Sequence, residues 1–389
     1  MLTRTVGGGL GVPTTATIGP VADNGVSVER ELRIGLIAPP WVPVPPSVYG
    51  GTEQVIDVLA RGLTEAGHEV TLFASGDSTC PVARRWLYPK ALGTTTSLFA
   101  EMGQVQAAYD EFADLDVIHD HTLLGPLWAL AEGAVPPIVT TSHGPFTPVL
   151  RRHFETIADR VAVVAISHHQ LSTAPGLRGA TVIHHGIDVE RIPEGAGDGG
   201  YVLFLGRMSP DKGPDRAILA ARAAGRRILV AAKMWEPEEQ RYFREHVEPL
   251  LGPDATYVGE PTVAEKFALL AGAAALVNPI RWAEPFGLVM IEALASGTPV
   301  LAFAEGSAPE IVEDGVTGFV CRDHDELVER LGRVDEIDRA RCRAAAVSRF
   351  SRQRMVNDHV LLYRSLLAAP RDLAGRSGPL PALGWSQLS

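Results

Sequence analysis

Arg207 and Lys212 stand in one glycine-bounded stretch, Gly206-Arg207-Met208-Ser209-Pro210-Asp211-Lys212-Gly213, of a chain with only four lysines. The stretch follows an apolar run, Tyr201–Leu205, and leads into a helical pattern. A guanidinium forks onto phosphate oxygens and an ammonium adds a compact charge, so the pair suits a diphosphate that accepts the electrons of a breaking bond. The competing reading is a solvated turn in which Ser209 or Asp211 caps the next helix. Placement of both charges between a strand and a helix favours the anion.

Glu284 and Glu292 are the next candidates. A helix beginning at Pro285 would raise Glu292 about 12 Å along the axis and rotate it about 80° past Glu284. The two carboxylates are then stacked, not paired, which excludes a hydrolase carboxylate pair. One at the helix mouth suits sugar hydroxyls and the other ribose hydroxyls, while the N–H groups near Phe286, Gly287 and Leu288 favour an anion between them. A surface helix residue is the alternative for Glu292, but Ile291, Ala293, Leu294 and Ala295 around it argue against full exposure.

Tyr49-Gly50-Gly51-Thr52-Glu53 places side-chain-free backbone where a helix begins, a second position for phosphate. It reads equally well as a turn with Thr52 as N-cap. It is not GxGxxG, which counts against a dehydrogenase. His121 ends Asp116-Val117-Ile118-His119-Asp120-His121; a lone histidine after a strand is more often structural than catalytic. Lys233, at the end of Ala231-Ala232-Lys233, reads as an added phosphate or sugar contact, or as a surface lysine whose stem covers apolar atoms.

These residues need a scaffold, and short β-branched runs alternating with amphipathic stretches supply one. Strands are expected at Leu32–Ala38, Glu69–Ala74, Asp116–Ile118, Ile138–Thr141 and Val161–Ile166, then at Tyr201–Leu205, Arg227–Ala232, Thr256–Val258, Ala275–Val277 and Pro299–Phe303. Pro193–Gly200, rich in glycine and acidic residues, marks the join. The expected organisation is a flexible extension over 1–30, a Rossmann-like domain over 31–190 and a second Rossmann-like domain over 191–350. A helix over 351–368 packs near the first domain, and a tail covers 369–389.

A net charge of -11 with no Lys/Arg block argues against nucleic acid and anionic bilayers as partners. Three scattered cysteines, Cys80, Cys321 and Cys342, lack metal or disulfide spacing and fit a reducing cytoplasm. Residues 1–31 lack the apolar core of a signal peptide, and no run is long enough to cross a bilayer.

Taken in order, the Gly50-Gly51 loop, Asp116–His121, Ser142-His143, His185-Gly186-Ile187-Asp188, the Gly206–Gly213 loop and Glu284/Glu292 resemble a family 4 glycosyltransferase. The resemblance spans Leu32 to Leu367, and the family's EX7E signature is matched by Glu284 and Glu292, followed by Gly297-Thr298-Pro299-Val300. It implies the GT-B fold: two doubly wound α/β domains facing a central cleft, the acceptor-binding domain over 31–190 and the nucleotide-sugar-binding domain over 191–350, with a C-terminal helix. It implies retention of anomeric configuration, no metal and no cofactor, with a UDP- or GDP-sugar as co-substrate.

The resemblance further implies that Arg207 and Lys212 hold the diphosphate with help from the Gly287 and Leu288 amides. Glu284 would contact the sugar and Glu292 the ribose. His121 would lie near sugar and acceptor, with His119 and His143 also on the acceptor side. Gly306-Ser307-Ala308-Pro309-Glu310 departs from the paired glycines common in the family and implies an altered pocket there. The acceptor, whether small molecule, lipid-linked or glycan, would be chosen by the loops Pro39–Gly51, Leu87–Ala100 and Pro145–Val149. The rival readings are a GT-B epimerase or phosphorylase, and a catalytically silent sugar-nucleotide-binding subunit.

Overall fold

The computed structural model describes residues 30–47, 50–93, 97–131 and 136–369. Nearly all of the expected N-terminal extension, the tail beyond Ala369, Tyr49 of the first glycine loop and residues 94–96 of one acceptor loop lie outside them.

Seven parallel strands form the first sheet: β1 (Arg33–Ile37), β2 (Glu69–Phe73), β3 (Ala83–Arg85), β4 (Val117–Asp120), β5 (Ile138–Thr141), β6 (Ala162–Ala165) and β7 (Thr181–Val182), in the order β3-β2-β1-β4-β5-β6-β7. A parallel sheet covered on both faces needs apolar side chains in both directions, which is why its strands read as continuous apolar runs. In β1, Ile34 and Leu36 join a cluster with Val55, Leu59 and Leu63 of the helix Gly51–Glu65. Ile37 joins the opposite cluster with Phe73, Phe112, Ile118 and Phe154. Gly35 completes that packing, because a Cβ there would lie 2.4 Å from the Phe112 ring.

Six further parallel strands build the second sheet: β8 (Val202–Arg207), β9 (Ile228–Lys233), β10 (Ala255–Gly259), β11 (Leu276–Asn278), β12 (Val300–Phe303) and β13 (Gly318–Cys321), in the order β10-β9-β8-β11-β12-β13. The sequence pattern leaves out β3, β7 and β13. Ala83-Arg84-Arg85 is charged and Thr181-Val182 is two residues long, so neither presents an apolar run, whereas β13 carries a short one, Gly318-Phe319-Val320-Cys321, that the pattern passes over.

Both sheets reverse their strand order beside their first strand, between β1 and β4 and between β8 and β11. Crevices outside the carboxyl ends of strands at such reversals are where doubly wound sheets bind ligands. The glycine loop follows β1, His121 follows β4, Arg207 ends β8, and Glu284 follows β11.

The last helix, Arg352–Ala368, returns to the first sheet. Ser351 caps it by accepting from the Arg354 amide, and Met355, Val356, Leu362, Tyr363 and Leu366 complete the cluster that holds Ile34 and Leu36. Asp188 ties it down through Arg352 at 2.9 Å and also meets Arg61 at 2.6 Å. Gly186 allows the close approach, since a Cβ there would lie 2.6 Å from the Ser351 carbonyl oxygen and 2.8 Å from Met355 Cβ. Gly186→Ala is therefore expected to destabilise the chain by about 1–3 kcal/mol through overpacking. Urea unfolding measures this, and an unchanged midpoint would show that the helix yields without cost.

Candidate functional site

The helix Gly51–Glu65 begins directly after Gly50, and a Cβ on Gly51 would lie 3.3 Å from Leu288 Cδ1. The glycine loop thus abuts the start of the helix Leu288–Ala295 that follows β11. Arg207 closes β8 in register with Lys233 at the end of β9. Lys212 precedes Gly213, whose φ of 72° turns the chain into the helix Pro214–Ala223.

Glu284 is not on a helix. The helix starts only at Leu288, after Gly287 at φ 107°, so the stacked geometry expected from a start at Pro285 does not form. The loop is held from β12's side: the Ser307 amide donates to the Glu284 carbonyl, and Ser307 Oγ donates to the Phe286 carbonyl. Gly306 is required there, because a Cβ would lie 2.4 Å from the Glu284 carbonyl oxygen. Ser307, in the stretch departing from paired glycines, thus shapes the Glu284 loop.

Gly50, Gly51, His143, Arg207, Lys212, Lys233, Glu284, Phe286, Gly287, Leu288 and Glu292 all line one cleft of about 620 Å³. His119 and His121 are not part of its lining. His119 is fully buried with both ring nitrogens engaged, Nδ1 at 2.7 Å from the Tyr363 hydroxyl and Nε2 at 2.8 Å from Thr141 Oγ1. Both nitrogens are thus committed to partners inside the protein. His121 stacks on it with ring centres 4.2 Å apart, and its Nδ1 lies 2.9 Å from His143 Nε2.

A row of rings continues from His143 to His185, 5.3 Å apart, which reaches the cleft beside Phe286. Burial, followed by the mutual repulsion of neighbouring rings, lowers the pKa of every histidine in this row, that of His143 to about 3. At neutral pH the row is uncharged and offers hydrogen bonds, not positive charge.

The charges come from elsewhere. Lys212 Nζ is ion-paired with Glu284 Oε1 and lies 5.3 Å from the Trp282 ring centre. Arg207 Nη2 meets Asp211 at 3.2 Å. Glu292 is 2% exposed and accepts from Lys266 Nζ at 2.6 Å and from Gln54 Nε2 at 2.9 Å, the latter from the glycine-loop helix. Lys233 meets Glu239 at 3.2 Å, so its charge is already answered by a neighbour six residues on.

Arg207 Nε, Ser209 Oγ, Trp282 Nε1 and Glu284 Oε2 are buried with no hydrogen-bond partner among the described residues. Each such atom costs about 1–3 kcal/mol unless something satisfies it. Those of Arg207, Trp282 and Glu284 belong to cleft-lining residues, where a polar ligand would satisfy them.

Glu310, in the short helix after β12, reaches residues that follow β6 and β7. Its carboxylate accepts from the His168 and His169 amides at 2.8 and 2.6 Å, and lies 2.9 Å from His184 Nε2. Burial raises its pKa, but the hydrogen bonds from His184 and the two amides outweigh that and hold it below the ordinary value. Ligand atoms of His168, His184 and Glu310 lie within 4.8 Å of one another, yet the carboxylate is already committed to these three donors.

Two family profiles cover the site from both sides. The "Glycosyltransferase Family 4" profile matches residues 49–191 and the "Glycosyl transferases group 1" profile residues 188–349. The chain belongs to the family 4 glycosyltransferases. Among its relatives is the phosphatidyl-myo-inositol mannosyltransferase of Mycolicibacterium smegmatis, 29% identical over 74% of this chain and 80% of that protein. The D-inositol 3-phosphate glycosyltransferase of the same organism is 28% identical over 95% of this chain and 90% of that one.

Among solved structures, AviGT4, a glycosyltransferase involved in avilamycin A biosynthesis, superposes with a TM-score of 0.66 at 26% identity over 87% of this chain and 99% of that one. Anabaena HepE, solved with UDP and glucose, shares the fold at a TM-score of 0.68 and 18% identity, over 86% of this chain and 100% of that one. The glycosyltransferase therefore has the GT-B architecture, two Rossmann-like parallel sheets with helices. Among its described residues no helix is long and apolar enough to cross a membrane.

Sequence reasoning about this glycosyltransferase missed Gln54, His185, Trp235, Glu260, Lys266 and Trp282 as parts of the cleft wall. Lysine scarcity was a usable signal: three of its four lysines, Lys212, Lys233 and Lys266, line the cleft. Glu53 also lines it, and burial raises its carboxyl pKa, offset in part by a hydrogen bond from its own backbone amide.

Proposed function

We propose that this glycosyltransferase moves a sugar from a nucleotide-diphosphate sugar to an organic acceptor, with retention and without a metal ion. The observation that carries the reading is the meeting of Arg207, Lys212 and Glu284 in one cleft at the second sheet's reversal point, with buried polar atoms awaiting partners. Arg207 and Lys212 supply positive charge where the departing diphosphate accumulates negative charge. Glu284 Oε2 remains to accept from a sugar hydroxyl, while Oε1 holds Lys212 in place. Glu292 takes the ribose.

The step is a same-face displacement: the acceptor oxygen bonds to the anomeric carbon as the bond from that carbon to the phosphate oxygen breaks. The acceptor's proton passes to the leaving diphosphate. His143 and His185, neutral at the cleft wall, orient hydroxyl groups without competing for that proton, because their depressed pKa values make them weak bases. The enzyme's contribution is alignment and charge stabilisation.

Turnover is expected to survive exhaustive chelation with EDTA. Loss of activity on chelation and its return with one divalent ion would overturn the role given to the two cations. Product analysis by NMR tests retention, and an inverted anomeric configuration would refute the same-face step.

A further inference from the structure

Arg207, Lys212, Lys233 and Lys266 line the cleft, and all of them end or follow strands of the second sheet. The carboxylates on that side are answered: Glu284 by Lys212, Glu292 by Lys266 and Gln54, and Glu260 by the Trp235 indole N–H at 2.6 Å. The wall supplied by the first sheet is built differently. Val42, Glu53, His143, Pro145 and His185 belong to it, and among the described residues no Lys or Arg does. His143 and His185 bring no positive charge, because burial lowers their pKa. Glu53 is 7% exposed in the first turn of the helix Gly51–Glu65, and among the described residues its carboxylate accepts from its own backbone amide and meets no cation. A helix N-terminus is served as well by an exposed carboxylate, so the helix dipole does not account for burial of this one against the cleft.

We propose that Glu53 makes this wall select an acceptor without phosphate or carboxylate, a polyol whose hydroxyl pair or ammonium group donates to the Glu53 carboxylate; the proposal rests on the sugar-transfer reading above. A buried carboxylate without a counter-charge gains from any ligand that donates to it. It opposes any ligand that brings a second negative charge, since like charges brought together out of water repel strongly. Charge is thereby divided across the cleft. The second sheet's side offers cations to an anionic donor, while the first sheet's side offers a carboxylate and neutral imidazoles to groups that donate. Rejection of anions is as much a part of the selection as attraction of donors, because specificity is a difference of affinities.

Nucleotide release from the full chain supplied with a donor tests the selection, because a polyol seated on this wall either accepts the sugar or shuts out water. The probes are glucose, glucosamine and glucose 6-phosphate, then myo-inositol, an inosamine and myo-inositol 1-phosphate, each titrated with UDP-glucose and with GDP-mannose. The parent polyol or its amine is expected to act at a concentration at least about tenfold below that of the phosphate ester. An amine stronger than its parent marks an ammonium as the group held, and parity marks a hydroxyl pair. Glu53→Gln keeps the shape and removes the charge, so the gap between parent and phosphate ester should close while calorimetry finds nucleotide diphosphate affinity level. A capping role alone would weaken every probe alike and leave the gap as it was. Stronger action of a phosphate ester on the wild-type chain, an unchanged gap in folded Glu53→Gln, or release unmoved by every probe would overturn the selection and leave the donor reading standing. Failure of UDP and GDP to bind at all would instead overturn the donor reading itself.

Discussion

Lys212→Ala is expected to lower kcat by a hundredfold or more, about 3 kcal/mol of transition-state stabilisation, and to exceed the loss from Arg207→Ala. The order follows from the ion pairs. Arg207 meets Asp211, and both side chains are about one-third exposed, so its removal leaves a carboxylate that water can solvate. Lys212 meets Glu284, and these side chains are 13% and 16% exposed. Its removal leaves a poorly solvated negative charge against the leaving diphosphate, so lost attraction is joined by new repulsion. Adding Glu284→Gln to Lys212→Ala should restore melting temperature while leaving kcat low. Steady-state kinetics on variants with matched melting curves measure both effects. A folded Lys212→Ala enzyme with wild-type turnover would remove the charge-stabilising role, and an equal loss in both single variants would remove the argument from burial.

The two signature glutamates are expected to fail in different ways. Glu292 is 2% exposed and answers Lys266. Glu292→Gln takes away a ribose acceptor and leaves the Lys266 ammonium without its counter-charge, so free nucleotide diphosphate should bind about 10–100-fold more weakly. Glu284→Gln acts on a group whose proposed partner, the sugar, is absent from that product. It also releases Lys212 from competition, so product affinity should stay level or tighten while kcat falls by roughly a hundredfold. Calorimetry with nucleotide diphosphate, beside kinetics with intact donor, separates the two. Weakened product binding in Glu284→Gln with normal binding in Glu292→Gln would reverse the proposed orientation of the donor.

Much of the scaffold was legible in the chain because buried parallel strands are written as contiguous apolar runs. Ile138–Thr141 was readable to the residue, and ten of the thirteen strands among the described residues were read from such runs. Arg207 and Lys212 were legible for a related reason: a strand end followed by a glycine-bounded loop brings its charges to the carboxyl edge of a sheet, and that edge is where the cleft opens. Local pattern has no access to pairings made over long separations. Gln54 reaches Glu292 across 238 residues and His119 reaches Tyr363 across 244, and these bonds decided that one site carboxylate is pinned between two elements and one histidine belongs to the core. Glu284 left the expected helix for a similar reason. Its backbone bonds to Ser307 and packs against Gly306, residues of another strand's loop, and those tertiary contacts together with Gly287's left-handed φ delay the helix to Leu288. Residue type and strand order determined which chemistry this chain can perform; long-range packing decided which of the candidate side chains face the cleft, because periodicity records burial and carries no record of the partner.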